Sequence, residues 1–143
     1  MMISTRGRYA LRLLVDMAEH QGDDYMPLRE IAERQDISEK YLESIVNLLV
    51  KGKVLTALRG KKGGYRLRKS PDQYTVRSIL ELTEGSLAPV TCLDSGQKTC
   101  SRLADCRTLP LWQGLDRVIS EYLDSYTIED LMRRESSGDN YVI

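Results

Sequence analysis

In the first fifty positions of the chain, apolar residues recur at helical spacing. Tyr9, Leu11, Leu13, Leu14, Met17 and Ala18 make one face of a predicted helix over 6–20, with Arg8, Arg12, Asp16 and Glu19 among its polar positions. Gln21-Gly22-Asp23-Asp24 ends it with turn-forming residues. Pro27 precedes a second helix, about 28–35, carrying Leu28, Ile31 and Ala32. After the turn at Asp36-Ile37, Ser38 is suited to cap a third helix that runs to about Lys51 and stops at Gly52. The apolar face of this helix is Leu42, Ile45 and Leu49, flanked by Tyr41, Val46 and Leu48.

The period then changes. Val54-Leu55-Thr56-Ala57-Leu58 predicts a strand, and Arg59-Gly60-Lys61-Lys62-Gly63-Gly64 a glycine-rich turn. Tyr65-Arg66-Leu67-Arg68 predicts the return strand. Two helices joined by a short turn make a helix-turn-helix, and the basic hairpin after it makes a winged helix. Ser70-Pro71-Asp72 closes this unit. A fourth helix, Val76 to Glu84, follows, capped by Thr75 and carrying Ile79, Leu80 and Leu82. Residues 85–107 form a loop too long for a mere connector. A helix over 109–124 then places Leu111, Leu115, Val118, Ile119, Tyr122 and Leu123 on one face beside Trp112. Thr127-Ile128-Glu129-Asp130 resembles a capping box for a last short helix. The predicted fold is mainly α. A winged helix-turn-helix of three helices plus a β-hairpin wing spans 1–75, a sensor loop with a long C-terminal dimerisation helix spans 76–134, and a tail spans 135–143.

Charge sharpens this division. The whole chain has 21 Lys plus Arg against 21 Asp plus Glu, a formal net charge of zero. Residues 1–75 carry 14 basic and 10 acidic groups, net +4, whereas residues 76–143 carry 7 and 11, net −4. From Lys51 to Lys69 there are eight basic residues and no acidic one. Such asymmetry predicts a polyanion-binding half and a separate partner or sensor half. The N-terminus lacks the uninterrupted apolar stretch of a secretory signal and no segment is apolar enough to span a membrane, so a cytoplasmic protein is expected.

The major groove of B-DNA admits a helix, and the second helix of a helix-turn-helix reads base edges through its N-terminal residues. Here those positions are Ser38, Glu39, Lys40, Tyr41, Glu43 and Ser44. Glu43 suits a cytosine amino group and Lys40 a guanine or a phosphate. Arg59, at the root of the wing, suits the minor groove or a guanine. Lys61, Lys62 and the free N–H groups expected at Gly60, Gly63 and Gly64 suit phosphates. A winged helix used only for protein contacts is the plainer alternative; the charge run on the wing favours DNA.

Cys92, Cys100 and Cys106 all fall in the long loop. Three thiolates there are compatible with an iron–sulfur cluster, with zinc, with a thiol redox switch, or with ordinary reduced thiols. Their number and clustering argue against a disulfide framework. A fourth ligand is not evident; Asp94, Ser101 and Asp105 are near in sequence. A thiol-redox enzyme is a more distant reading, because no C-x2-C pair exists and the single histidine is His20. The apolar face of the 109–124 helix (Leu111, Leu115, Val118, Ile119 and Tyr122) is expected to form a homodimer interface. A palindromic double-stranded operator, with half-sites roughly 34 Å apart, requires a dimer. The apolar end, Tyr141-Val142-Ile143, follows a polar spacer and suits a partner's pocket, although such ends are usually frayed.

Several of these segments resemble the Rrf-two family of bacterial winged-helix regulators, which has IscR-like, CymR-like and NsrR-like members. Ile3-Ser4-Thr5-Arg6-Gly7-Arg8-Tyr9-Ala10-Leu11 is similar to its opening, and Ile37-Ser38-x-x-Tyr41-Leu42-Glu43 to its recognition helix. Arg59-Gly60-x-x-Gly63-Gly64-Tyr65-x-Leu67 resembles its wing, the most specific match. Cys106-Arg107-Thr108-x-x-Leu111-Trp112 resembles the start of its dimerisation helix. The resemblance implies a homodimeric transcription regulator, with Glu43 and Arg59 as sequence readers. It also implies Cys92, Cys100 and Cys106 as ligands of a 2Fe-2S or 4Fe-4S cluster. The family's fourth ligand is a His three residues past the last Cys in IscR-like members and an acidic residue near the N-terminus in NsrR-like ones; Leu109 and Arg8 stand there in this chain. A CymR-like alternative is a repressor of cysteine metabolism controlled through cysteine synthase. Tyr141-Val142-Ile143 is similar to the tail by which serine acetyltransferase enters that enzyme.

Overall fold

The computed structural model describes residues 3–94 and 100–133. Six helices and one hairpin follow in the order α1 (Thr5–Glu19), α2 (Leu28–Gln35), α3 (Glu39–Lys51), β1 (Leu55–Leu58), β2 (Gly64–Leu67), α4 (Val76–Glu84), α5 (Leu109–Asp124) and α6 (Ile128–Leu131). The expected mainly helical winged fold is therefore present. The tail Tyr141-Val142-Ile143 lies outside the described residues.

Side-chain caps explain most helix starts. Ser4 accepts from the Gly7 N–H, Ser38 from Tyr41 and Thr75 from Ser78, and each occupies an orphan donor at a helix N-terminus. Thr127 and Asp130 complete the capping box of α6. The end of α3 differs from expectation in detail. Gly52 is the last half-helical residue, but the left-handed residue is Lys53, with φ 61°. Val54 N–H reaches back to Leu49 O and Lys53 N–H to Val50 O, the paired bonds of a Schellman turn. Gly52 lies against the end of the Leu82 side chain on α4, which would have to turn aside to admit a Cβ there. Since Val54 N–H is spent on closing α3, β1 starts at Leu55, one residue later than its apolar run suggests.

The core is shared by all the helices except α5. Leu13, Leu14, Ile31, Leu42, Ile45, Leu49, Leu55, Ile79 and Ile128 are fully buried together. At about 1.5–3 kcal/mol per fully buried aliphatic side chain, this cluster is the main source of stability. A smaller cluster of Val76, Leu80 and Leu87 takes in Leu123 from α5. The wing is pinned from both sides. β1 and β2 pair antiparallel, with Leu55 opposite Leu67 and Leu58 opposite Gly64. On the other edge of β2, Met26 and Tyr65 exchange both backbone bonds, at 2.9 and 2.8 Å. At Gly64 the Met26 carbonyl lies where a Cβ would be, so only glycine fits. No helix of the described residues is long and apolar enough to cross a membrane.

Candidate nucleic-acid interface and cysteine loop

The N-terminal half of α3 presents Ser38, Glu39, Lys40, Tyr41, Glu43 and Ser44 to solvent, while Leu42, Ile45 and Val46 anchor it in the core. Three of these positions are locally organised. Ser38 is held by its cap, Ser44 Oγ donates to Tyr41 O at 2.7 Å, and the Tyr41 ring stands edge-on to Tyr9 of α1. The first helix of the motif, α2, is braced against α1 by a buried acid. Asp16 of α1 accepts Arg34 Nη2 at 2.6 Å, Arg34 Nε at 3.1 Å and Gln35 Nε2 at 2.8 Å, all from α2. Asp16 is 2 % exposed, so its charge is neutralised by a fork of donors rather than by water. Arg12 links the two features. It bonds Gln35 through Oε1 at 3.1 Å and the backbone O at 2.6 Å, and its guanidinium lies 5.2 Å from the centre of the Tyr9 ring.

Between α3 and the wing runs a cleft of about 460 Å³. Glu39, Glu43 and Asn47 line it from α3, and Arg59, Gly60, Gly63 and Gly64 from the hairpin. The structure thus brings Glu43 and Arg59, far apart in sequence, to one cleft. Lys40, Tyr41 and Ser44 stand outside it on the exposed surface of α3, and Lys61 and Lys62 are exposed in the turn. Arg59, Lys61 and Lys62 make no ion pair among the described residues, which leaves their charge available to an anion. Two expectations are corrected. The N–H of Gly63 donates to Gly60 O at 3.0 Å and closes the turn, and that of Gly64 faces Leu58 in the β1–β2 ladder, so neither is free. Gly60, at φ 113°, supplies the left-handed conformation this turn needs.

Asn47 is the residue that sequence reasoning passed over. It lies one helical repeat beyond Glu43, so spacing alone would have placed it on the same stripe. Asn side chains suit the donor–acceptor pair on adenine.

The loop thiols are accessible and separate. Cys92 lies in a 3-10 turn (Thr91–Leu93), and Cys106 follows a second such turn (Leu103–Asp105). Cys92 and Cys106 are half-buried and Cys100 is exposed; all three are free thiols. Among the described residues no three His, Cys, Asp or Glu side chains are gathered to hold a metal. The donor chemistry still suits a soft metal centre, and one thiol is tuned for it. The Thr108 hydroxyl, 3.4 Å from Cys106 Sγ, and then the Thr108 backbone N–H hold that thiol below its ordinary value. Thr108 Oγ1 also accepts from Trp112 Nε1 at 3.2 Å, which ties the thiol to α5. At the two places expected to differ from other members, Leu109 opens α5, and Arg8 donates to Thr5 Oγ1 at 3.1 Å.

α5 buries none of its residues fully. Leu111, Val118 and Tyr122 are each about 60 % exposed and Leu115 is 41 % exposed, forming one apolar stripe; Ile119 is half-buried.

Comparison with known proteins agrees with this architecture. A model of the Rrf2 family, described as iron-dependent transcriptional regulators, matches residues 3–134. The helix-turn-helix transcriptional regulator IscR of Sodalis glossinidius is 36% identical over 139 residues, 97% of this chain and 83% of that protein. The structure of CymR, the global cysteine regulator of B. subtilis, superposes with a TM-score of 0.73 at 34% identity, covering 92% of this chain and 95% of that one. T. potens IscR superposes with a TM-score of 0.73 at 29% identity, covering 99% and 93%. The chain belongs to the Rrf2 family of transcriptional regulators, which are not enzymes.

Proposed function

We propose that this protein is a cytoplasmic homodimeric repressor that binds a palindromic double-stranded operator. The observation that carries this reading is the shared cleft of Glu43 and Arg59, beside a turn whose exposed Lys61 and Lys62 have no ion pair among the described residues. In it, residues 1–75 make the DNA contacts. Glu43 and Arg59 read base edges, and Ser38, Lys40, Tyr41 and Ser44 position α3 in the major groove. Gly60, Lys61 and Lys62 meet the backbone, while Gly63 and Gly64 shape the turn rather than donating. The exposed stripe of Leu111, Leu115, Val118, Ile119 and Tyr122 pairs the subunits.

The sensor is the cysteine loop. Cys92, Cys100 and Cys106 would hold an iron–sulfur cluster, 2Fe-2S or 4Fe-4S, which would supply a centre responsive to iron and redox state. The iron dependence named for the family and the three accessible thiols support this. The loop runs directly into α5, so gathering the thiols would act on the dimer. The fourth ligand is open: an oxygen, a small thiol or a group from the other subunit. A second reading is favoured by the likeness to a cysteine regulator: cysteine synthase, engaged through Tyr141, Val142 and Ile143, would set DNA binding. The two can coexist.

A mobility-shift titration on an operator fragment tests the DNA reading. Arg59→Ala is expected to lose about 1–3 kcal/mol of specific binding per half-site, and Lys61→Gln/Lys62→Gln to lower the salt slope by about 2 per half-site, about 4 for the dimer. Unchanged affinity and slope would overturn it. Anaerobic purification with iron and sulfide assays tests the sensor; a colourless protein that cannot be reconstituted would remove the cluster.

A further inference from the structure

The basic run from Lys51 to Lys69 is contiguous in sequence, but the hairpin divides it. Arg59, expected at the root of the wing, follows the last residue of β1 and is carried with Lys61 and Lys62 to the tip, whereas Lys53, Arg68 and Lys69 lie at its feet. β1 alone, four residues long, separates the two groups by about 13 Å. The feet also adjoin the C-terminal end of α3. That end is about 20 Å along the helix from Ser38, where the DNA-facing surface begins. Contact with DNA through the tip leaves the second group of cations without a role.

At the feet is a cleft of about 530 Å³, of the size that small ligands occupy. Lys53, Arg68 and Lys69 line it, with the polar side chains of Gln73 and Ser78 and an apolar wall that includes Leu82. No acidic residue lines it. The acids nearest in sequence are engaged elsewhere: Asp72 with the Ser70 hydroxyl, and Glu81 with Arg77 Nε at 2.9 Å. Lys53, Arg68 and Lys69 have no ion pair among the described residues. The cations are also held in fixed relation by the backbone. Tyr74, 6 % exposed, accepts the Lys69 N–H at 3.0 Å and donates to Val54 O at 3.2 Å, and Arg68 N–H bonds the same carbonyl at 3.0 Å. Lys53 keeps a left-handed conformation, φ 61°, where glycine is the usual residue.

We propose that this cleft binds a small dianion, with adjacent anionic oxygens of the kind carried by a phosphate ester or a dicarboxylate. The Arg68 fork engages two oxygens at once, Lys53 and Lys69 supply point charges from the two feet of the wing, and Gln73 and Ser78 offer hydrogen bonds. A dianion held there bridges the start of β1 to the end of β2. This site does not rest on the DNA reading, since no operator is needed to observe it.

Calorimetric titration of the full chain with inorganic phosphate and with succinate, both dianionic at mildly alkaline pH and at constant ionic strength, tests the proposal. Saturable binding of either, with a Kd of about 10 mM or tighter, is expected, and the tighter of the two identifies the anion class. Arg68→Gln/Lys69→Gln is expected to weaken it at least about tenfold, as the loss of two charge-assisted contacts requires. The wing-tip variant Lys61→Gln/Lys62→Gln is expected to bind as the parent does. Failure of both probes to saturate the unmodified protein overturns the site, and so does an equal loss in the tip variant. If the Arg68/Lys69 variant binds both anions normally but loses duplex DNA affinity, the feet are a DNA contact and the proposal is wrong.

Discussion

The ring of Tyr9 meets the ring of Tyr41 edge-on, with centroids 5.7 Å apart and planes at 89°. This contact joins α1 to the exposed face of α3. Arg12 covers the Tyr9 ring and is itself fixed by Gln35, which bonds the buried Asp16. A short relay therefore runs from the core of the motif to a residue on its candidate DNA face.

Tyr9→Ala should release Tyr41. The aromatic contact is worth about 0.5–1.5 kcal/mol beyond buried area, and the ring also packs on the core, so a loss of stability larger than that is expected. A larger effect is expected on specific than on non-specific DNA affinity, because the Tyr41 end of α3 loses its support. Tyr9→Phe keeps the ring and should restore both. Equal loss on specific and random duplexes would show that the contact has no part in recognition.

Much of this was legible in the sequence because the signals are local. Ser38 and Thr75 cap the helices their spacing predicts, and the span of α5 agrees with its apolar repeat. What was not legible depends on partners distant along the chain. The Met26–Tyr65 pairing and the Asp16–Arg34 brace each join separate elements, and no periodicity encodes them. The same holds for the charge run. Its eight cations look like one surface until the antiparallel register of Leu55 with Leu67 folds its two ends together and sends its middle away. At the candidate site, Glu43 and Arg59 are legible from their places on the third helix and the basic hairpin and by resemblance, but the spent N–H of Gly63 depends on the turn geometry.

The brace between α1 and α2 should be asymmetric to mutation. Asp16 is buried, whereas the Arg34 side chain is 31% exposed. Removing Asp16 lets Arg34 swing into water, but removing Arg34 strands a buried carboxylate with fewer donors. Arg34→Ala is therefore expected to cost about 3 kcal/mol, and Asp16→Asn less, in urea unfolding. The reverse order would mean that water reaches Asp16 once Arg34 is gone.

Cys106 should ionise more readily than an ordinary cysteine, because Thr108 lowers its pKa. In metal-free protein, alkylation of Cys106 by iodoacetamide should reach half of its maximal rate at a lower pH than that of an ordinary cysteine. Thr108→Val removes the hydroxyl and should move that midpoint upward. Peptide mapping of early adducts across pH reads the midpoint directly, and the value of an ordinary cysteine would contradict it.

The stripe on α5 should govern oligomeric state. Leu111, Leu115, Val118 and Tyr122 together expose a contiguous apolar face on a helix that has no fully buried residue of its own. Leaving such a face in water is unfavourable by roughly 25 cal/mol per Å², and a second copy of the same stripe would cover it symmetrically. Val118→Lys at its centre puts a like charge from each subunit into one interface. Sedimentation equilibrium is expected to show a dimer for the parent and a monomer for the variant, with unchanged helical content. Operator affinity should fall with the dimer, since one winged helix reaches only one half-site. A variant that stays dimeric would place the interface elsewhere on the molecule.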